Sequence, residues 1–431
     1  MGGRVGLLSR FNFMKGNIAV LTLTQTLSIF FRRMVIPYAS LLVLELGGNS
    51  SQIGVINSMR PLAGLVIFPL AGYYTDQIGR KKLIVLASYL SAITMVLYVF
   101  APSWEWIAIA AFLQGVMGLS HPPMSALIAD SLAPESRGIG IATMRTLNSV
   151  LAMFSPYIAA VILQIYGTAS GMRILYALLA GSLAAGATIN LRFLKETVPE
   201  GNKGPSMSVS QIFRDAYGGV PSMLRRLPVS VRALGIVIIL GFMANGVAAS
   251  FWVVYVVVEI GLSTVDWGLI LFIETAFKTV ILIPAGFLVD RYGRTRVLMA
   301  SLLFSLVSIP TIVIAQDFYQ VLAIRLAVGV AQVLFMLACS ALMADCIPRD
   351  IRGRVMAALG RGTVEIGAAG GGTGGPGQGF LTSVPIVVSS IAGGILYSVN
   401  PAYPWVFTLV SILITIAVTG LFVRDQKIAE W

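Results

Sequence analysis

Apolar runs of about 20 residues recur twelve times along this chain and leave it few ways to fold. They fall at roughly 18–46, 52–75, 83–101, 106–130, 139–165, 172–194, 233–258, 265–289, 297–315, 318–344, 381–399 and 403–423. About 20 residues is the helix length that crosses roughly 30 Å of hydrocarbon, and a backbone in hydrocarbon must satisfy its own hydrogen bonds. The expected fold class is therefore an all-α integral membrane protein of twelve helices. Composition points the same way, with 57% hydrophobic and only 11% charged residues, far from the usage of soluble domains. The first sixteen residues are short and basic, without a separate apolar signal core or cleavage site, so the first run reads as a retained helix.

A net charge of +12 would suit nucleic acid or acidic lipid if the charges were clustered, so their placement decides the reading. Lys and Arg stand at Arg4, Arg10 and Lys15, at 80–82, at Arg137, at 192–232, at 291–296, at 349–354, and at Arg424 and Lys427. These are alternate connections. The loops between them, near 47–51, 101–105, 166–171, 260–264 and 399–402, carry no Lys or Arg. By the positive-inside rule both termini are expected in the cytoplasm, with the chain in the cell (plasma) membrane. The basicity is then topology, and no nucleic-acid partner is expected.

Catalytic and metal chemistry find little support. Cys339 and Cys346 lie seven apart on one apolar run, as packing residues would, and one histidine, His121, cannot build a His-based metal cluster. No nucleophile motif is present, so neither an enzyme nor a bound cofactor is expected. The glycine-rich run 367–380 lacks the lysine that a phosphate-cradling loop requires.

The two halves repeat. Gly72-Tyr-Tyr-Thr-Asp76-Gln77-Ile-Gly79-Arg80-Lys81-Lys82 returns 214 residues later as Gly286-Phe-Leu-Val-Asp290-Arg291-Tyr-Gly293-Arg294-Thr-Arg296. Ser125-Ala-Leu-Ile-Ala-Asp130 returns as Ser340-Ala-Leu-Met-Ala-Asp345, followed by Arg137-Gly138 and Arg352-Gly353 respectively. The expected organisation is a cytoplasmic tail 1–17, a six-helix bundle 18–195, a linker 196–232 with an amphipathic helix near Val209 to Leu227, a second bundle 233–423 and a tail 424–431. Residues 367–380 read as an insertion before helix eleven. Asp76 and Asp290 sit at helix C-termini, where the dipole disfavours an anion, so a partner is expected at another helix N-terminus or a basic side chain.

These doubled motifs resemble the signature of the major facilitator superfamily over essentially the whole chain. The resemblance implies a secondary transporter with its substrate site near the midplane between parallel repeats. It further implies a cytoplasmic charge clasp at Gly72, Asp76, Gly79, Arg80, Asp130 and Arg137. Gly286, Asp290, Arg291, Gly293, Arg294, Asp345 and Arg352 would form its mirror. Three departures from the family pattern stand out. Gln77 replaces the basic residue that usually follows the motif aspartate, Ala111 stands where a fourth-helix arginine is linked to proton coupling, and Ser155-Pro156 is a degenerate form of the antiporter signature. Arg325 occupies the place equivalent to Ala111.

Charges inside apolar runs are the remaining candidates, because each is costly in lipid unless it faces a cavity or a partner. Arg32 and Arg33 lie about 22 Å into the first helix at 1.5 Å per residue, beside Pro37. Adjacent residues point about 100° apart, so only one can face a given cavity. Arg60 and Glu274 are repeat equivalents, expected either to approach across the cavity or, for Glu274, to pair with Lys278 four residues on. Glu274 is also the candidate proton carrier. Arg145 and Arg325 complete a set of five arginines that favours a solute with anionic character. Asn245, Trp252 and Tyr255 have the spacing of either a lining face or packing. Val355 to Ile366, with Arg361 and Glu365, is expected as a helix, followed by a flexible or broken glycine segment with a possible gating role.

The expected function is secondary active transport of a small organic solute by alternating access, with proton coupling open. A proton-coupled multidrug or lipid exporter is the alternative, and a non-transporting transporter-like receptor the reading from another class. Expected partners are the lipid bilayer, the solute and protons, with the protein a monomer.

Overall fold

Local signals that start and stop helices recur at the 214-residue offset of the sequence motifs. Asn49 and Ser263 precede the second and eighth crossings and accept from the backbone N–H groups of Gln52 (3.1 Å) and Asp266 (3.0 Å). The Gln52 and Asp266 side chains accept in return from the cap backbones, so four donors that helix geometry leaves orphaned are met. Gly79 and Gly293, with φ of 93° and 88°, reverse the chain into the third and ninth crossings. A Cβ would be strained at both.

The structure is a computed structural model that describes residues 14–197, 208–347, 351–360, 362–370 and 378–425. Eleven helices among them are long and apolar enough to cross a membrane. The remaining crossing, the fourth, is broken into Trp104–Val116, a 3-10 turn Met117–Ser120 and His121–Ser131. Pro122 and Pro123 begin its second piece, where missing N–H groups cost least. The first half comprises Asn17–Val35 continued by Ile36–Tyr38 and Ala39–Glu45, then Ser50–Ile78, Arg80–Val99, the broken fourth, Arg137–Ala152 with Ser155–Tyr166, and Thr168–Phe193. Val229–Ala248 with Trp252–Val254 opens the second half. Thr264–Tyr292, Arg294–Ser308, Phe318–Cys346, Arg352–Leu359 with Phe380–Val399, and Tyr403–Phe422 complete it.

The halves pack closely at the face away from the basic loops. A Cβ on Gly54 would lie 2.5 Å from the Ser390 carbonyl oxygen, so glycine is what lets the second and eleventh crossings touch. Gly268 of the eighth meets Ala160 of the fifth at the same distance. Ser40 Oγ donates across to the Ser250 carbonyl at 2.8 Å, where both the first and seventh crossings break.

Two short helices, Val209–Gly218 and Val220–Arg226, form the connection between halves. Ile212 is buried and Phe213 and Tyr217 are half-buried. The Tyr217 hydroxyl donates to the Leu65 carbonyl at 2.5 Å, a group left without a helical donor because Pro69, four residues on, has no N–H. The Tyr217 ring stands edge-on to Phe380 at 5.0 Å, so one side chain bridges the two bundles.

The insertion departs from expectation. Arg352–Leu359 is a separate short helix, and the helix long enough to cross a membrane is Phe380–Val399. The helix expected to run from Val355 to Ile366 stops at Leu359, because Gly360 (φ 90°) reverses the chain and pairs with Gln378. From there the chain runs without regular structure into the second bundle, with Val364 and Ile366 fully buried. Arg361 and residues 371–377 lie outside the described residues.

Candidate functional site

The first half holds a pocket walled by the first four crossings and the sixth. Arg32 projects into it from the first helix, one residue before the exposed Arg33. Arg60 reaches the same pocket from the second, with Asn57, Gln114, Tyr98 and Tyr176 as its other principal polar groups. Tyr98 and Tyr176 stack at 4.4 Å and 10°, and Gln114 is held by the Ser91 carbonyl at 3.2 Å. The pocket offers about 80 Å³, room for on the order of half a dozen waters at roughly 10–15 Å³ each. Among the described residues no carboxylate lies within ion-pair distance of Arg32 or Arg60. Two cations therefore line one pocket with no counter-ion among the described residues.

The second half treats its charges differently. Arg325 on the tenth crossing and Glu274 on the eighth are 1% and 2% exposed and pair through two parallel bonds, Nε to Oε2 at 2.8 Å and Nη2 to Oε1 at 2.9 Å. Such a fork is stronger and more directional than a single contact. Lys278 lies 3.2 Å from Glu274, one helical turn on, and 3.7 Å from Glu365. Two cations thus meet two anions. Glu274 takes the local partner left open by the sequence and adds Arg325; it does not meet Arg60, which belongs to the other bundle's pocket. The Arg325 guanidinium also lies 4.3 Å from the Trp252 ring and 5.9 Å from that of Trp267, contacts favourable to a desolvated cation. Trp252 packs edge-on to Trp405 at 4.5 Å. Asn245, Trp252 and Tyr255 are buried, which makes them packing residues in this conformation.

On the basic face, Arg80 pairs with Asp130 and Arg294 with Asp345, each pair within its own half. Arg352 donates to the Ile347 carbonyl at 3.1 and 3.3 Å. Arg137, Asp290 and Arg145 are exposed, and Arg291 lies over the Tyr292 ring at 5.6 Å. The side chain of Asp76 lies outside what is described. Two further carboxylates cap the N-termini of the third and ninth crossings. Glu196 accepts from the backbones of Arg80 (3.2 Å) and Lys81 (3.0 Å), and Asp425 from the backbone and hydroxyl of Thr295, both at 2.9 Å. An anion at a helix N-terminus is stabilised by the dipole. The signal was available in the sequence, since Glu196 and Asp425 each stand three residues beyond the last helical residue of their half, Phe193 and Phe422.

The family model for the Major Facilitator Superfamily matches twice, over residues 21–273 and 234–430. The chain belongs to this superfamily. An uncharacterized MFS-type transporter of Methanocaldococcus jannaschii is 25% identical over 410 residues, 93% of each chain. Multidrug resistance protein 1 of Bacillus subtilis is 24% identical over 94% of this chain and 96% of its own. The multi-drug resistance efflux pump PmrA of Streptococcus pneumoniae is 26% identical over 42% of this chain and 45% of its own. Among solved structures, a bacterial homologue of the human lysosomal transporter Spinster, inward-facing and unoccupied, superposes with a TM-score of 0.67 at 13% identity, covering 94% of this chain and 96% of that one. The human organic anion transporter MFSD10 gives 0.62 at 15% identity, with 93% and 98% covered. At such identities the structures establish the fold, and this superfamily member is a multi-pass membrane transporter of small solutes.

Proposed function

We propose that this transporter moves a small organic anion by alternating access and binds it between Arg32 and Arg60. One observation carries the reading: the second bundle pairs Arg325 and Lys278 with Glu274 and Glu365, whereas in the first two arginines line one pocket and no carboxylate among the described residues pairs with them. An ion removed from water costs several kcal/mol unless it is paired, and a bound carboxylate or phosphate would supply the missing partner. Guanidinium forks match those groups two bonds at a time. A second reading, a proton-coupled exporter of hydrophobic drugs, draws support from the printed names of the multidrug-resistance relatives. The two arginines that line the pocket favour the anion.

In this reading the basic face is cytoplasmic, as the alternation of charged loops suggests, and the membrane is the plasma membrane. The within-half pairs Arg80–Asp130 and Arg294–Asp345 then belong to the cytoplasmic gate in its open state, with the opposite face closed by the second and eleventh crossings. The protein acts as a monomer. Proton coupling, where it occurs, is not assigned to Glu274, whose charge serves the Arg325 fork.

The test is thermal stabilisation of the purified protein by phosphate, mono- and dicarboxylates, sugars, organic cations and lipophilic drugs, with Arg32→Ala and Arg60→Ala alongside. A ligand at a hundredfold excess over its dissociation constant stabilises by about 2.7 kcal/mol. Anions alone should raise the midpoint, and either substitution should remove the shift. Equal stabilisation of all three proteins by drugs would replace the anion reading with the exporter.

A further inference from the structure

The path of the insertion acquires meaning from the repeat. At the 214-residue offset, Arg60, Met95, Ala111 and Gln114, which line the anion pocket of the first half, correspond to Glu274, Ile309, Arg325 and Val328 of the second. Against that second set lies the backbone of the insertion. A Cβ on Gly367 would lie 3.0 Å from both the Ile309 and the Val328 side chains. The Gly367 carbonyl accepts from Arg325 Nη1 at 2.8 Å. Arg325 thus binds a backbone carbonyl at the position where, in the other half, a solute would lie.

Backbone without regular structure survives at this depth only if its polar groups are met by protein, and several of them have such partners. The Ile366 carbonyl accepts from Gln332 Nε2 at 3.1 Å, and the Ala368 N–H bonds the Glu365 carbonyl at 3.0 Å. The Gly370 N–H donates to the Ala249 carbonyl at 2.9 Å, in the break of the seventh crossing. The Glu365 side chain adds its ion pair to Lys278 at 3.7 Å. The segment is a fitted part of the bundle.

Its far end reaches the other half. A Cβ on Gly370 would lie 2.9 Å from Ile36 Cγ2 and 3.4 Å from Pro37 Cα, and its φ of 108° already disfavours any side chain. Ile36 lines the Arg32–Arg60 pocket. We propose that residues 362–370 are a built-in occupant of the second half's counterpart of the anion pocket, and that their end at Gly370 backs the Ile36 wall that limits the length of solute the Arg32–Arg60 pocket accepts. The transport site is then one-sided, with selectivity for short anions set by the chain's own insertion. The size limit rests on the reading of the Arg32–Arg60 pocket as the solute site, whereas the occupancy does not.

Two measurements separate these parts. The first is thermal stabilisation by a homologous series of linear dicarboxylates of two to eight carbons, for the wild type, a variant lacking residues 362–378, and Gly370→Ala. The wild type should show a length cut-off; the deletion should keep the short acids and admit longer ones. Gly370→Ala, pressing on Ile36, should weaken the longest accepted acid at least tenfold and the shortest less than twofold. An unchanged cut-off in the deletion, or in Gly370→Ala if the deletion does not fold, overturns the size limit while the pocket stands. If no acid stabilises the wild type, or Arg60→Ala keeps the shift, the pocket reading falls and takes the size limit with it. The second measurement is maleimide labelling of Val328→Cys with Cys339 and Cys346 replaced by alanine. Full protection in the full-length chain and labelling in Gly367→Val, whose side chain cannot fit between Ile309 and Val328, support occupancy. Rapid labelling of the otherwise intact chain overturns it.

Discussion

Replacing Glu274 by glutamine should be among the most damaging single substitutions in the second bundle, although the side chains have nearly the same shape. The fork with Arg325 uses both carboxylate oxygens, at 2.8 and 2.9 Å. Glutamine offers one acceptor and turns an N–H₂ donor toward the other guanidinium donor. Arg325, 1% exposed, keeps one amide oxygen, the Gly367 carbonyl and the Trp252 and Trp267 rings, but no anion to balance its charge within the fork. Breaking one side of a buried pair costs about 3–5 kcal/mol, because the surviving charge is left uncompensated. Arg325→Met should cost less, about 2 kcal/mol, since Glu274 retains Lys278 at 3.2 Å. The double variant should cost less than the two single costs added, by roughly 2 kcal/mol, toward the upper part of the usual coupling range of about 0.5–3. Denaturant unfolding in detergent, followed by tryptophan emission, measures all three, and Trp252 lies close enough to report locally. Single costs each under about 1 kcal/mol that simply add would show a hydrated, weakly coupled pair and refute the reasoning.

Tyr217→Phe should leave the Leu65 carbonyl without a donor, at a cost of about 1 kcal/mol, and should speed amide exchange across 209–226 relative to the rest of the chain; unchanged exchange would mean the hydroxyl does not hold the linker. Gly54→Leu should hold the second and eleventh crossings apart at the face away from the basic loops, so that Ser398→Cys, now beside Ser51 at 3.3 Å, labels faster from that side; equal labelling would argue against the close contact. Glu196→Gln and Asp425→Asn should each cost about 0.5–2 kcal/mol, the usual range for a lost helix cap, read as a lower unfolding midpoint. Arg33→Ala should leave anion stabilisation intact where Arg32→Ala removes it, and loss in both would mean that the pocket extends round the first helix.

Much of this architecture was legible residue by residue. Run length, alternation of basic loops and the doubled motif identify twelve crossings in two repeats, because hydrophobic length and helix capping are set by residues within a few turns of one another. The pairs Asn49–Gln52 and Ser263–Asp266 and the reversals at Gly79 and Gly293 are of this local kind. Arg32 and Arg60 were visible as charges in apolar helices, and the repeat set Arg60 at the same depth as Glu274. What only the tertiary structure decided is which charge meets which. Glu274 chooses Arg325, fifty-one residues away, because the eighth and tenth crossings pack side by side, while Arg32 and Arg60 share a cavity with no acid among the described residues that line it. The insertion shows the limit most sharply. Its glycines signal irregular backbone, but only the donors of Arg325 and Gln332 and the Ala249 carbonyl of the broken seventh crossing, brought together from distant parts of the chain, make the bundle interior a place where that backbone can lie.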